Sequence, residues 1–445
     1  MIGSVVLFFL ILLAAYKLPF FRFPEINPFL LPILLVIKVL ASFGVWWYYF
    51  EKPGFGAESD LYQFYNVANQ IQYQLPWLEE LKVIFGLPAS EATNKTLITI
   101  DYWHKLHDYG VINDNRLMIR MNMILNWVIG NNFSSHSICF SFIGFSGSVY
   151  LLKMIRSITT KHLFIYAVIL FLLPSGLIWT GSMFKETTLL FTLGGTTYFL
   201  TTIILKHTSK TAYLYFFIFA VLLLQTKPLY SLLFLYTFIC FYFVSKLKFA
   251  RFKRSYLLTF FLPIIMVFGI TSFMNNKMND QEIRQGKGLD LPLLLKNKQE
   301  DFYYDVKVFH PETVVDLHRI DRSYGSILCA IPSALKNVFL MPILLSFQKW
   351  EMIPFGLELI VLYAFLVIAL IYPKKNHWEL NHPFFCLFLT SLLCLLFLGL
   401  TIPIEGLIVK YAAPVMPFIF LYTAIHVDWD KINFVKSFEA RLINK

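Results

Sequence analysis

Long apolar runs alternate with short polar connections along most of the chain, and this pattern is the clearest structural signal in the sequence. Each run is continuous and long enough to cross ~30 Å of hydrocarbon as an α-helix, whereas the strands of a membrane barrel would alternate apolar and polar residues. The pattern predicts an all-α polytopic membrane protein with about 11 transmembrane helices. The predicted spans are 2–19, 29–50, 134–152, 162–180, 187–205, 211–226, 228–245, 255–274, 355–372, 383–401 and 408–425.

Two long polar connections, 51–133 and 275–354, interrupt the spans. Because no internal repeat divides the sequence, we expect a single membrane domain over residues 1–445 that carries both connections as folded extracytoplasmic insertions. In the second insertion, the segment 327–347 is apolar but is broken by two prolines and a lysine. These breaks favour a pair of short interfacial or re-entrant helices over a further span.

The first insertion has the residue spacing of short amphipathic helices. Residues 61–73 place apolar side chains at helical intervals, Asp60 stands where an N-cap would be, and Pro76 ends the run. Residues 116–129 alternate Met, Ile, Leu and Trp with Arg and Asn, which is typical of a helix lying along a membrane surface. Helices of this kind suit the frame of a cavity at the membrane boundary.

Positive charges are distributed unevenly among the short connections, and this distribution predicts the orientation of the chain. The basic connections all fall on the cytoplasmic face if the N-terminus is outside, and the opposite connections carry only Lys185, Lys227 and Lys410. Both long insertions then lie on the outer face, and the C-terminal tail is cytoplasmic. The residues of the basic connections are Lys17, Arg22, Lys153, Arg156, Lys161, Lys206, Lys210, Lys246, Lys248, Arg251, Lys253, Arg254, Lys374 and Lys375.

Composition changes this picture only slightly. The net charge is +11, but the Lys and Arg residues lie mainly in short loops where they fix topology, so nucleic-acid binding is not expected. The five cysteines show no metal-type spacing, which is typical of buried thiols. The first apolar run lacks a basic segment before it and a small-residue cleavage site, so we expect a retained span rather than a removed signal peptide.

Glu58 and Asp60 form the sharpest local feature, because two acids separated by one residue stand directly outside the second span. Such acids suit a general base toward a sugar hydroxyl, or a site that holds a divalent cation such as Mg²⁺ or Mn²⁺ with a phosphate. The alternative is structural, with Asp60 capping the following helix and Glu58 solvated. His310 and His318 form no recognisable metal spacing with nearby acids, so no metal ligand is assigned.

Five cations on the same predicted face suit a phosphate, namely Arg116, Arg120, Lys185, Lys227 and Lys410. For the lysines the alternative is a side chain that extends to the interface or contacts a lipid headgroup. Supporting roles beside these cations are assigned to Asn122, Glu186, Glu358 and Tyr411. An acid inside a span, as Glu358 is, indicates either a functional site or an ion pair with one of the lysines.

Together these features resemble the GT-C superfamily of membrane glycosyltransferases and the related polysaccharide polymerases of bacterial envelopes. The resemblance rests on Glu58 and Asp60; Arg120 and Asn122; Ser182, Lys185 and Glu186; Lys227 and Pro228; and Lys410, Tyr411, Pro414 and Pro417. It implies an enzyme of the bacterial inner membrane that uses a polyprenyl-phosphate or polyprenyl-diphosphate sugar as donor and a saccharide or protein as acceptor. It also implies an acid of the first outer loop as catalytic base and basic residues around the phosphate.

Other functions stay open on the sequence. A secondary transporter suits the intramembrane Glu358 and broken helices, but it predicts an internal repeat and polar residues near the bilayer midplane, neither of which is evident. A flippase for lipid-linked saccharides, or a structural envelope subunit, is favoured if Asp60 is replaceable without loss of function.

Overall fold

The computed structural model describes residues 2–51, 59–100, 102–103, 114–206, 210–246, 261, 291–321, 323–374 and 382–435. Within these residues the chain is helical and contains no β-strand, which confirms the predicted all-α class. Contacts divide the chain into two compact units. The first unit is Met1–Ser231 with Asp428–Lys445, and the second is Leu232–Val427.

The first unit begins with two apolar helices, continues through four shorter helices and returns to a second group of apolar helices. Its helices are α1 (Ile2–Lys17), α2 (Leu30–Glu51), α3 (Asp60–Gln74), α4 (Trp77–Phe85), α5 (Glu91–Ile98), α6 (Asp114–Ile129), α7 (Phe133–Ile158), α8 (Leu163–Leu172), α9 (Pro174–Trp179), α10 (Lys185–Lys206), α11 (Lys210–Thr226) and α12 (Pro228–Lys246), the last of which continues into the second unit.

The second unit is also helical. Its further helices are α13 (Leu291–Phe309), α14 (Tyr324–Phe339), α15 (Met341–Ser346), α16 (Ile353–Ile371), α17 (His382–Thr401), α18 (Glu405–Ala412) and α19 (Met416–Ile425). Helices α14 and α15 occupy the segment 327–347, where the sequence predicts two short helices. Buried Gln299 ties α13 to α17, because its Nε2 donates to the carbonyl oxygen of Leu400 at 2.6 Å.

Five helices of the described residues are long and apolar enough to cross a membrane, and a sixth crossing is reached if one bent pair counts as a span. The five are Leu30–Phe50, Phe133–Ile158, Lys185–Leu205, Trp350–Ile371 and Pro383–Thr401, and the pair is Glu405–Ala412 with Met416–Ile425, bent by 59°. The protein is therefore membrane-embedded. The predicted total of about 11 spans stays a prediction, and the span 255–274 lies outside the described residues except for residue 261.

Four of the other predicted spans are shorter apolar helices: Ile2–Lys17, Leu163–Leu172, Lys210–Thr226 and Pro228–Tyr242. The predicted span 162–180 is broken at Leu173, which leaves the helical region with φ −59° and ψ 126°. A residue that precedes proline is pushed out of the helical region, and Pro174 follows directly. The chain then restarts as the short helix α9.

Helices α7 and α10 pack backbone against backbone. A Cβ atom on Gly194 would lie 2.3 Å from the carbonyl oxygen of Gly147, and one on Gly147 would lie 2.7 Å from the backbone of Phe191. Residues without side chains allow membrane helices to approach this closely. The contact fixes α10, which begins at Lys185, against α7.

We expect Gly194→Ala to destabilise the protein by about 1–3 kcal/mol, because the added methyl group overpacks this contact. Gly44→Ala is the matched control, since a Cβ on Gly44 of α2 meets no atom within 4 Å. Thermal denaturation, with size-exclusion chromatography as the readout of the folded fraction at each temperature, compares the melting temperatures of the two variants. Equal melting temperatures for both variants would show that the α7–α10 contact is looser than described.

Helices α3 to α6 form a small layer at the end of α2 and the beginning of α7. Their core contains Leu61, Phe64 and Ile71 of α3 with Ile119 and Met123 of α6, all fully buried. The residue spacing predicts α3 and α6, and the structure confirms both helices. The N-cap of α3 is Ser59, one residue before the predicted Asp60, so Asp60 is the first residue of the helix.

Candidate functional site

Asp60 accepts a hydrogen bond from a tyrosine that the sequence did not single out. The hydroxyl of Tyr102 donates to Oδ1 of Asp60 at 2.7 Å. Tyr102 has a φ of 67°, in the left-handed region that residues other than glycine rarely adopt. Such a backbone costs on the order of 1–2 kcal/mol and persists only where the surrounding structure enforces it. This strain at a carboxylate is a reason to treat Asp60 and Tyr102 as a site.

The first turn of α6 holds Tyr102 and its neighbour Trp103 in place. The side-chain amide of Asn115 donates to the carbonyl oxygen of Tyr102 at 3.0 Å, and Nε of Arg116 donates to the carbonyl oxygen of Trp103 at 3.2 Å. Both donors belong to one helix, so they fix the Tyr102–Trp103 peptide as a unit. Arg116, which the sequence predicts to bind phosphate, therefore contacts the residue that follows Tyr102, and Tyr102 contacts Asp60.

Arg116 and Arg120 lie one helical turn apart and flank the indole of Trp103. Their guanidinium carbons are 5.4 Å and 5.7 Å from the ring centroid. Nε of Arg120 donates to the carbonyl oxygen of Val83 at 2.9 Å, in the last turn of α4, where the helix dipole favours a cation. Burial, and then the positive charge of Arg116, lower the pKa of Arg120 below its ordinary value.

No carboxylate of the described residues forms an ion pair with Arg120. Two guanidinium groups are thus held near one another, and one of them is partly desolvated without an acidic partner. An oxyanion between them would offset the repulsion between the two positive charges and the desolvation of Arg120. Guanidinium groups bind phosphate oxygens through paired hydrogen bonds.

Lys185 completes this group of residues. Its Nζ lies 2.8 Å from Oδ2 of Asp114, an ion pair between the first residues of α10 and α6. The same ammonium lies 5.7 Å from the ring centroid of Phe64, and that ring packs edge-on against Tyr102 at 5.7 Å. We call these residues the charged cluster: Asp60, Tyr102, Trp103, Asp114, Arg116, Arg120 and Lys185.

Lys227 lies in a buried ion pair next to the charged cluster. Its Nζ is 2.6 Å from Oε1 of Glu186, and the Glu186 side chain is 1% exposed. The ammonium also lies over the ring of Tyr230 at 5.5 Å. The sequence assigned a phosphate to Lys227 as the group that offsets its burial, whereas the structure gives it a carboxylate.

Asn122 lies away from the surface of the charged cluster. It is fully buried, its Nδ2 donates to the carbonyl oxygen of Met118 at 2.9 Å, and its Oδ1 lies 2.8 Å from Nδ1 of His136. Because His136 belongs to α7, Asn122 joins α6 to the membrane helix behind it. We therefore assign it a structural role.

The remaining predicted site residues belong to the second unit or lie outside the described residues. Glu58 lies outside the described residues. Lys410, Tyr411 and Glu358 belong to the second unit, where Lys410 and Glu358 are buried. Lys410 lies over the ring of Tyr411, with its Nζ 5.8 Å from the centroid.

The described part of the chain brings together no group of three or more His, Cys, Asp or Glu residues that could hold a metal ion. The sequence missed Tyr102 and Trp103, for which no local motif exists. It also passed over Asp114, although an acid at the beginning of a predicted helix is a recognisable signal.

A cavity of about 640 Å³ lies at the opposite ends of α2 and α7 from the charged cluster. Its wall includes Glu25 and Phe29 before α2, Lys161 and His162 before α8, and Asp430. Its position separates it from the charged cluster.

No family model, curated protein or solved structure matches the chain. The charged cluster is therefore the basis for assigning a function.

Proposed function

We propose that the protein is a membrane glycosyltransferase of the GT-C type. It transfers a sugar or glycan from a polyprenyl-phosphate or polyprenyl-diphosphate donor to a saccharide or protein acceptor, as in polysaccharide synthesis at the cell envelope. One observation carries the proposal: a carboxylate and two guanidinium groups are joined through a single dipeptide, Tyr102–Trp103. A transferase for lipid-linked sugars needs these groups together at the membrane boundary.

The acid and the arginines divide the reaction between them. The acceptor hydroxyl oxygen attacks the anomeric carbon, the bond from that carbon to the phosphate oxygen breaks, and its electron pair leaves on the phosphate. The proton of the hydroxyl passes to Asp60, which Tyr102 orients through its hydrogen bond. Arg116 and Arg120 stabilise the charge that grows on the leaving phosphate, a contribution that is largest in the transition state.

The lysines have a different role in this mechanism from the one that the sequence suggested. Lys185 pairs with Asp114 and thereby holds the beginning of α6, which carries both arginines. Lys227 pairs with buried Glu186 and supports α10. The phosphate is therefore assigned to Arg116 and Arg120.

The distribution of basic connections supports an outer location for the charged cluster. With the N-terminus outside, the end of α2 and the beginning of α7 face the outside of a bacterial inner membrane. The isoprenoid of the donor would lie in the bilayer, and its phosphate would lie at headgroup depth. Membrane lipids and the lipid-linked donor are the expected partners.

Arg120→Gln is expected to weaken binding of a soluble polyprenyl phosphate, such as farnesyl phosphate, by about 10- to 100-fold. This range corresponds to the loss of one hydrogen bond to a charged group, about 1.5–3 kcal/mol. Calorimetric titration of the detergent-solubilised protein measures the change.

Farnesol is the control ligand, because it lacks the phosphate and its weaker binding should be the same in both proteins. Lys95→Gln is the control variant, since Lys95 is an exposed cation of α5 that pairs with Glu91 at the surface. Equal affinity of Arg120→Gln and the parent for farnesyl phosphate would argue against a phosphate at this arginine.

A secondary transporter is the second candidate, and one observation favours it. The bent pair α18–α19 begins at Glu405, which is fully buried and has neither carboxylate oxygen hydrogen-bonded within the described residues. Broken helices with a buried acid are typical of ion-coupled transport. The test is proton flux into proteoliposomes. A flux that is present in the parent protein and abolished in Glu405→Gln would favour transport over the transferase.

A further inference from the structure

Lys38 is a buried lysine near the middle of α2, inside an apolar run. Its side chain has only 3% exposure, and its Nζ donates to Oγ1 of Thr180 at 2.8 Å and to the carbonyl oxygen of Gly176 at 3.3 Å. No carboxylate in the described residues pairs with it. A lysine at the centre of a membrane helix costs about 2.5–3.5 kcal/mol on insertion, so its position calls for a role.

The acceptors of Lys38 belong to the end of α9 and to the bend that follows it. Thr180 is the C-cap of α9, where unpaired carbonyl groups and the helix dipole favour a cation. The next residue is also anchored, because Oγ of Ser141 on α7 donates to the carbonyl oxygen of Gly181. Two membrane helices therefore hold the bend through polar side chains.

The bend leads directly into the beginning of α10. The carbonyl oxygen of Ser182 accepts from the backbone N–H of Phe184 at 2.7 Å and from Oγ1 of Thr187. These bonds set where α10 starts and which way its first residues face. Those first residues are Lys185 and Glu186, which form the ion pairs with Asp114 and Lys227.

Little space separates Lys38, the bend and α7. A Cβ atom on Gly144 of α7 would lie 2.2 Å from the carbonyl oxygen of Thr180 and 3.3 Å from Cε of Lys38. Close-packed atoms transmit a displacement instead of absorbing it. Loss of the Lys38 hydrogen bonds should therefore move the bend and the first turn of α10 together.

We propose that Lys38 is a positioning residue, which fixes residues 180–184 so that Lys185 reaches Asp114. Its relevance to catalysis rests on the proposed function, because the Lys185–Asp114 pair borders the phosphate-binding arginines. The positional claim itself is independent of any substrate, and it is tested without one.

The test replaces Asp114 and Lys185 by cysteine, in a background with exposed Cys329 changed to alanine, and measures the rate at which a bifunctional thiol reagent long enough to span the ion pair links the two cysteines. Peptide mass spectrometry identifies the crosslink. Adding Lys38→Met should slow this crosslink about tenfold, which corresponds to a shift of about 1.4 kcal/mol in the population of the paired geometry. Thr180→Val should also slow it, because it removes the hydroxyl that accepts from Nζ of Lys38 and donates to the carbonyl oxygen of Gly176.

A second cysteine pair separates positioning from general loss of structure. Ser4 of α1 donates to Asn132 before α7 at 3.0 Å, away from the bend, so Ser4→Cys with Asn132→Cys should crosslink equally with and without Lys38→Met. Unchanged crosslinking at 114 and 185 in both Lys38→Met and Thr180→Val would overturn the proposal. Equal slowing of both cysteine pairs would also overturn it. Failure of the transferase assays would leave this result unaffected.

Discussion

Replacing Asp60 with asparagine is expected to lower the rate of sugar transfer about 10²–10⁴-fold, the usual contribution of a general base. The amide has nearly the same shape and can still accept the hydrogen bond of Tyr102, but it cannot take a proton from the acceptor hydroxyl. Transfer of radiolabelled sugar from lipid-linked donors in isolated membranes measures the rate. Binding of farnesyl phosphate should stay unchanged, because the phosphate is assigned to the arginines.

Two further variants define what the Asp60 result means. Tyr102→Phe should reduce the rate less than Asp60→Asn, because it removes the group that orients the base and leaves the base itself. Glu91→Gln should leave the rate unchanged, since this acid is 83% exposed on α5. Full activity in Asp60→Asn would exclude Asp60 as the base and favour a flippase or structural subunit.

Breaking the Glu186–Lys227 pair is expected to lower the free energy of unfolding by about 3–5 kcal/mol, because each single change removes the ion pair of a charged side chain that is at most 12% exposed. Glu186→Gln and Lys227→Met should both show this loss. The double variant Glu186→Leu with Lys227→Met should recover much of it, since no buried charge remains. Titration with a denaturing detergent measures the free energy of unfolding.

The exposed pair Glu91–Lys95 provides the control for this prediction. Its side chains are 83% and 75% exposed, so Glu91→Gln should cost no more than about 1 kcal/mol. If Glu186→Gln and Glu91→Gln change stability equally, the Glu186–Lys227 pair is solvated and the account of Lys227 is wrong.

Apolar length was enough to predict the longest membrane helices. The helices Leu30–Phe50 and Pro383–Thr401 coincide closely with the predicted spans 29–50 and 383–401, because a long apolar run forms a helix across the whole thickness of the hydrocarbon. The predicted spans 162–180 and 408–425 are each divided into two helices in the structure. Hydropathy averages over many residues, whereas a break depends on the conformation of one residue before a proline, as at Leu173.

The charged cluster was predictable in part. Asp60 could be found because it stands just outside an apolar run, and Arg116 and Arg120 could be found because they belong to an amphipathic segment. Partners far apart in sequence could not be assigned, and Glu186 lies 41 residues from Lys227. The left-handed backbone of Tyr102 has no sequence signature. Lys38 was missed because a single lysine hardly changes the mean hydropathy of a long apolar run.

The most direct test of the transferase function is mass spectrometry of the lipids that remain bound when the protein is purified in nanodiscs from its own membranes. The account predicts a saccharide linked to polyprenyl phosphate or diphosphate in the parent protein. The same lipid should be lost from the double variant Arg116→Gln with Arg120→Gln, whereas Asp60→Asn should retain it. Recovery of ordinary phospholipids alone from the parent, or of the polyprenyl-linked saccharide from the double variant, would contradict the account.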